Sequence, residues 1–263
     1  MQVTEINIYP VKSTRSIALQ HCDVEMRGLQ YDRRWMLVDG DNRFVTARQQ
    51  PMLATVETAI TDNALTIRAE GRDALMLPLQ PESIKQMEVT VWRSVVNSVA
   101  IDERADEWFS DFLGQSVRLV MMPDTVNREV DQDYGQSGDH VSFADGFPLL
   151  LISAASLDDL NTRLNAPVSM RRFRPNIVVS GCDPYAEDSW KEIRINGVVF
   201  VGVKACSRCI FTTIDPATGI KSPDQEPLRT LATYRKQKGG VFFGQNLIPR
   251  KTGVIHVGDE VIV

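Results

Sequence analysis

Short runs of β-branched and aromatic residues, spaced by turn formers, fill residues 1–101 and hold that stretch to an all-β reading. The runs are Val3 to Tyr9, Ile17 to Val24, Trp35 to Val38, Phe44 to Ala47, Ala54 to Ile60, Ala64 to Ala69, Met87 to Trp92 and Val95 to Ile101. Asp39-Gly40-Asp41-Asn42, Thr61-Asp62-Asn63 and Pro81-Glu82-Ser83 are the expected turns between them. Many short strands at this spacing close into a barrel or a sandwich.

The pattern then changes. Ala105, Trp108, Phe109 and Phe112 fall near helical spacing across Glu103 to Leu113, with Gly114 as the C-cap, and the aromatics read as core. Val117 to Met122 should be a strand. Pro123 to Gly146 is acidic and rich in Asp and Gly, which places it as a long surface loop and a candidate lid. A second helix is expected over Ala155 to Leu164, capped by Ser153, and a third over Leu228 to Arg235, opened by Pro227. Strands are expected at Asn176 to Ser180, Glu192 to Ile195, Val198 to Ala205, Val241 to Leu247 and Val254 to Val263. The fold class is mainly β with a few packed helices.

With 263 residues, the chain can bury one large core or two smaller ones. A net charge of −5 argues against nucleic acid or an anionic membrane surface as partner. No run approaches the roughly 20 apolar residues of a membrane span. Four cysteines, two of them isolated, do not make a disulfide framework, so a reducing compartment is expected. The sequence lacks the G-x-S-x-G and HExxH patterns of familiar hydrolases, and GxGxxG after a strand for a dinucleotide.

The chemistry concentrates in Val198 to Gly219. A strand-like run leads into Cys206-Ser207-Arg208-Cys209, Ile210 to Ile214 continue in strand-like composition, and Asp215-Pro216-Ala217-Thr218-Gly219 turn the chain. Two thiols thus sit in a tight turn between strands beside a guanidinium, which favours thiolate, the form that attacks or binds metal. A thioredoxin-type pair would open a helix, which Ile210 to Ile214 start poorly. A structural zinc site would need four ligands, and Cys22, Cys182, His21, His140 and His256 have no zinc-finger spacing. Two half-buried structural cysteines remain the plain reading of the residues alone. Arg171, Arg172 and Arg174 surround Phe173; they are either solvated arginines paired with carboxylates or an anion site. Strand alternation would put Arg172 and Arg174 on one face.

Beyond these readings, Val203 to Gly219 resembles the signature of the MOSC domain of molybdenum-cofactor proteins. The branch is that of the mitochondrial amidoxime-reducing components and their bacterial YcbX-type relatives. Tyr9-Pro10-Val11-Lys12-Ser13, Gly28 to Trp35, Thr46-Ala47-Arg48-Gln49, Phe173-Arg174-Pro175-Asn176, Phe243-Gly244-Gln245 and Val257-Gly258-Asp259 follow the family's order over nearly the whole chain. The resemblance implies a bent MOSC β-barrel over 116–263 and an N-terminal β-barrel-like domain over 1–115. It implies a molybdenum cofactor (Mo-molybdopterin) between them, held mainly by the second. Matching positions assign its contacts to Lys12, Ser13, Arg33, Asp145, Arg174, Asn176, Ser207 and Arg208. The thiolate to molybdenum falls to Cys209, and Cys206, Cys22 and Cys182 become structural. Gly146 and Phe147 stand where the family often has hydroxyl residues, so only backbone contacts are expected there.

The implied activity is reduction of N-hydroxylated compounds (hydroxylamines, amidoximes, N-hydroxylated purines) to the amine. Thr212 and Asp215 are considered as proton-relay groups, Asp215 reading first as a turn former. A sulfur-carrier module holding a persulfide on Cys209 is the alternative within the resemblance. Lacking the anchor of the mitochondrial relatives and a C-terminal ferredoxin domain, the chain is expected to be cytoplasmic and monomeric. Its electrons would come from a separate flavoprotein or ferredoxin-type protein. Purified protein alone should therefore not oxidise NADH or NADPH; steady turnover without an added reductase would contradict this.

Overall fold

In a computed structural model, residues 1–80 and 85–263 are described. The expected turn at Pro81-Glu82-Ser83 lies outside the described residues. Strands make up 41% of the chain and three α-helices pack on them, so the protein is mainly β as read. None of the described helices is long and apolar enough to cross a membrane.

The largest sheet is organised on two long antiparallel strands, Val198–Arg208 and Gly240–Pro249, whose pairing runs from Phe200↔Pro249 to Arg208↔Val241. Its register shifts between Gly202 and Lys204 and again between Ala205 and Ser207. Such irregularities bend a strand and increase its twist. Beyond Gly240–Pro249 lie Leu149–Ser153, Ile177–Ser180, Gln2–Ile8 and Ile17–Leu19; on the other side lie Glu192–Ile195 and Val261–Ile262. Leu149–Ser153 and Ile177–Ser180 run parallel, and helix Ala154–Thr162 lies in the connection between them. Alternation sorts the two faces. Leu149, Leu151, Ile177, Val179, Phe200 and Leu247 fill one core. Leu150, Ile152, Val178 and Phe243 turn the other way and pack on Leu160 and Leu231 from the helices.

Most remaining strands of the first half form a five-stranded sheet, Lys85–Val91, Ser94–Ala100, Arg118–Met121, Trp35–Val38 and Phe44–Val45, and a three-stranded one, Glu57–Ile60, Ala64–Arg68 and Leu75–Pro78, while His21–Glu25 and Gly28–Leu29 join Gly253–His256 in another. Helix Glu103–Leu113 closes their core with Ala105 and Phe109. Asp102 caps it by accepting the Arg104 amide, and Gly114 ends it in the left-handed conformation. The chain's start belongs to both halves: Gln2–Ile8 lies in the large sheet, while the Lys12 amide donates to Trp35 O in the smaller one. Residues 9–14 therefore run along the seam.

Several expectations are corrected. Ile17 to Val24 is two strands, Ile17–Leu19 beside Gln2–Ile8 and His21–Glu25 beside Gly253–His256, because the chain changes sheet at Gln20. Trp92 leaves its strand for the two-residue turn after Val91. Cys206 is not in a turn but inside strand Val198–Arg208. Ile210 to Ile214 does not continue as a strand: Ile210–Thr213 forms one 3-10 turn. The Thr212 and Thr213 hydroxyls donate to Cys209 O and Ile210 O, local bonds that override β propensity. Arg172 and Arg174 are not on a strand face, since Met170–Arg172 is a 3-10 turn and Arg174 has φ +58°. Pro123 to Gly146 is no simple surface loop. It contains the paired strands Arg128–Glu129 and His140–Val141, and the buried Arg128 guanidinium donates to Ser142 O, Ala144 O and Asp145 O.

Gly244 combines a left-handed backbone with close packing in the long strand pair. Its φ is +81°, and an added Cβ would lie 2.6 Å from Ile152 Cγ1 and 2.9 Å from Leu151 O. Gly197 also has positive φ (+75°) but faces open space. Gly244→Ala should lower unfolding free energy by about 3 kcal/mol and Gly197→Ala by about 1 kcal/mol, read from urea transitions. Equal losses would show that packing at Gly244 is not the constraint.

Candidate functional site

Where residues 9–14 cross the seam, they meet the end of strand Val198–Arg208, and a cavity opens. Lys12, Arg33, Arg48, Arg172, Arg174 and Arg208 all line it, and Asp145 is the single lining carboxylate among the described residues. Ser13, Asn176, Cys206, Ser207 and Cys209 line it too, so every residue assigned to the site from sequence comes to this one place. Arg171 does not; Asp215 is also outside, its carboxylate accepting from Arg172 Nη2 at 3.1 Å and from the Ala217 amide at 2.7 Å, as a turn former does.

Arg33 and Arg174 share one aromatic support, each guanidinium 4.1 Å from the centre of the Tyr9 ring. Arg33 Nη1 donates to Asp32 Oδ2 (2.5 Å) and to Asn176 Oδ1 (3.1 Å). Asn176 is thereby an orienting group, for its amide also bonds Asn7 O and the Leu150 amide. Arg174 Nη1 donates to Thr14 O, and its far side lies 5.1 Å from the Phe211 ring. Burial pushes Arg174 down to about 10 and the Tyr9 hydroxyl up to about 12. Ser13, Arg33 and Arg174 all have positive φ, at +77°, +47° and +58°. Non-glycine residues held there cost of order 1 kcal/mol or more each, and such strain clusters at functional sites.

Lys12 is 5% exposed; its ammonium donates to Phe143 O at 2.7 Å and to Asp145 Oδ1 at 2.5 Å. Burial pushes Lys12 down to about 8, partly opposed by Asp145. For Asp145 itself, leaving water raises the pKa, but Lys12 and Arg48 outweigh this and hold the carboxyl well below the usual range. Arg208 Nη1 donates to Cys206 Sγ at 2.9 Å and Nη2 to Phe173 O at 2.6 Å. Its Nε is buried without a partner. Ser207 is exposed at the strand's end.

Cys209 is half-buried, just past the strand and before the 3-10 turn. Its sulfur accepts from Arg48 Nε at 3.4 Å. Arg48 is the residue that sequence reasoning left without a role; its one signal was its place in Thr46-Ala47-Arg48-Gln49. Only the single 3-10 turn Ile210–Thr213 follows the CxxC, not the α-helix that a thioredoxin-type pair opens. Among the described residues, no group of three or more His, Cys, Asp or Glu could hold a metal, so nothing supports a zinc site. What the cavity offers is two cysteine sulfurs, Cys206 and Cys209, beside a strongly basic wall. That suits an anionic group that brings its own further ligands to a metal.

Comparison with known proteins gives the family of the chain. The family described as the MOSC N-terminal beta barrel domain matches residues 1–116, and the MOSC domain matches residues 138–262. Mitochondrial amidoxime-reducing component 1 of Mus musculus is 37% identical over 277 residues, covering 98% of this chain and 81% of the relative. Its Homo sapiens counterpart is 38% identical over 280 residues, covering 98% and 82%. Mitochondrial amidoxime reducing component 2 of Homo sapiens is 36% identical over 276 residues, covering 98% and 82%. The chain belongs to the family of the amidoxime-reducing components, with a MOSC N-terminal domain followed by a MOSC domain.

Proposed function

We propose that the cavity binds a molybdenum cofactor and that the protein reduces N-hydroxylated compounds to amines with electrons from a separate flavoprotein or iron–sulfur protein. The observation that carries this is that six cationic side chains line one cavity with the sulfur of Cys209. The residues fit such a group. Molybdopterin has an anionic phosphate and a polar pterin; the cavity answers with guanidiniums aligned on Tyr9 and an orphaned buried donor, Arg208 Nε.

In this reading Lys12, Ser13, Arg33, Asp145, Arg174, Asn176, Ser207 and Arg208 hold the organic part, and Cys209 supplies the metal with a thiolate. When bound, the cofactor supplies the two-electron chemistry needed to cleave an N–O bond. For a hydroxylamine the balance is R-NHOH plus two electrons and two protons to R-NH2 and water. The chain's own residues set the conditions. Arg174 is held by a backbone carbonyl and keeps its charge for the ligand, while Asp32 and Asn176 keep Arg33 in place. Lys12, at about 8, holds a proton on Nζ at neutral pH within reach of Asp145. The protein works in the cytoplasm on this proposal.

Elemental analysis tests the reading. Wild type should carry about one molybdenum per chain, Cys209→Ala none and no activity, and Cys206→Ala a full complement. Reduction of benzamidoxime by dithionite-reduced viologen should follow the metal. Metal-free wild type with labile sulfur on Cys209 would instead mark a sulfur carrier, and loss of metal from Cys206→Ala alone would name the other sulfur.

The basic wall can be tested separately with sulfate, which stays dianionic across the range used. In Cys209→Ala protein, sulfate affinity should fall as pH rises through about 8, because the Lys12 ammonium is charged below that value and lost above it. Arg174→Gln should weaken sulfate binding roughly tenfold or more at pH 7. A flat pH profile would remove Lys12 from the anion site.

A further inference from the structure

We infer that Arg48 is the positioning residue for the Cys209 sulfur, and that Trp92 from the N-terminal half of the chain and Asp145 from the C-terminal half clamp it there. The effect on a bound metal rests on the function proposed above; the clamp does not.

Two edges and one face of the Arg48 guanidinium are held. Nε donates to Cys209 Sγ at 3.4 Å, and Nη2 donates to Asp145 Oδ2 at 2.6 Å. The plane lies under the Trp92 ring, 4.9 Å from its centre. Asp145 is fixed in turn, with Oδ1 accepting from Lys12 Nζ at 2.5 Å and from Trp92 Nε1 at 3.3 Å. The backbone is fixed too: Gln49 Oε1 accepts from the Thr46 amide and hydroxyl, and Lys221 Nζ donates to Arg48 O at 3.3 Å. A long side chain held on three sides keeps little rotamer freedom, so the N–H is delivered to the sulfur at a defined angle.

Trp92 is the telling member. It occupies the first position of the two-residue turn between Lys85–Val91 and Ser94–Ala100 with φ +55°, a conformation that a bulky side chain takes only under constraint. It is 48% exposed, so burial does not repay that strain. What holds it are the Phe44 ring at 5.0 Å, the Arg48 guanidinium and the bond to Asp145. An aromatic residue strained at a hairpin tip, with its ring and its N–H both directed to the partners of Cys209, fits a clamp better than a core contact. A guanidinium N–H on a thiolate draws electron density from sulfur, and such bonds tune the metal that the sulfur ligates.

The test uses the full chain labelled with 15N-arginine. One Nε–H resonance should exchange with water roughly tenfold or more slowly than free arginine, and Arg48→Lys or Arg48→Gln should remove it. Cys209→Ala, which deletes only the acceptor, should shift that resonance and speed its exchange roughly tenfold; Trp92→Phe, which keeps the ring but loses the N–H, should do so less. A purely structural Arg48–Asp145 ion pair would leave the resonance unchanged in Cys209→Ala, and that result overturns the proposal. Wild type without molybdenum would sink the cofactor reading and leave this measurement intact. With molybdenum present, Arg48→Lys should keep the metal and change its paramagnetic-resonance spectrum; a wild-type spectrum also overturns the inference.

Discussion

Like charges gathered in one cavity repel, and this protein holds its six cations together while meeting only part of their charge with carboxylates: Asp32 pairs Arg33, Asp145 pairs Lys12 and Arg48, and Asp215 pairs Arg172. Arg174 and Arg208 are restrained by the backbone carbonyls of Thr14 and Phe173 instead. Aromatic faces do the rest, with Tyr9 under both Arg33 and Arg174. A carbonyl or a ring orients a cation but leaves its formal charge in place, whereas a carboxylate would quench it. The positive potential is thus built in and is available to an anionic ligand.

The one lining carboxylate sits where the field must be trimmed. Asp145 bonds Lys12 and Arg48, and through Arg48 it reaches Cys209. Its backbone is stapled by the buried Arg128. The sulfur therefore faces a cation whose direction is set by a carboxylate, while Arg174 and Arg208 on the far wall are held by backbone carbonyls.

Strain is distributed in the same way. Ser13, Arg33 and Arg174 adopt left-handed backbone at the cavity wall, and Trp92 does so above it. None is a glycine, so each conformation is imposed by its surroundings. The irregular pairing of Val198–Arg208 with Gly240–Pro249 bends the sheet just before Cys209, bringing the strand's end to the seam.

Much of this was legible in the chain. Local caps and periodicity marked the helices, alternation marked most strands, and Cys206 to Cys209 with the arginines around Phe173 marked the chemistry. Ile210 to Ile214 misled because hydroxyl-to-carbonyl bonds, not β propensity, shape that turn, and Pro123 to Gly146 misled because its buried staple, Arg128, looks like any surface arginine. Residue type and order determined the fold class, since periodicity is a local property, whereas the choice of Cys209 over Cys206 came from the resemblance in motif. That Arg48 reaches a cysteine 161 positions away, and that Tyr9 carries two guanidiniums, was decided only by tertiary structure. Those contacts form where two sheets meet, and no local pattern encodes which side chains will face each other across a seam.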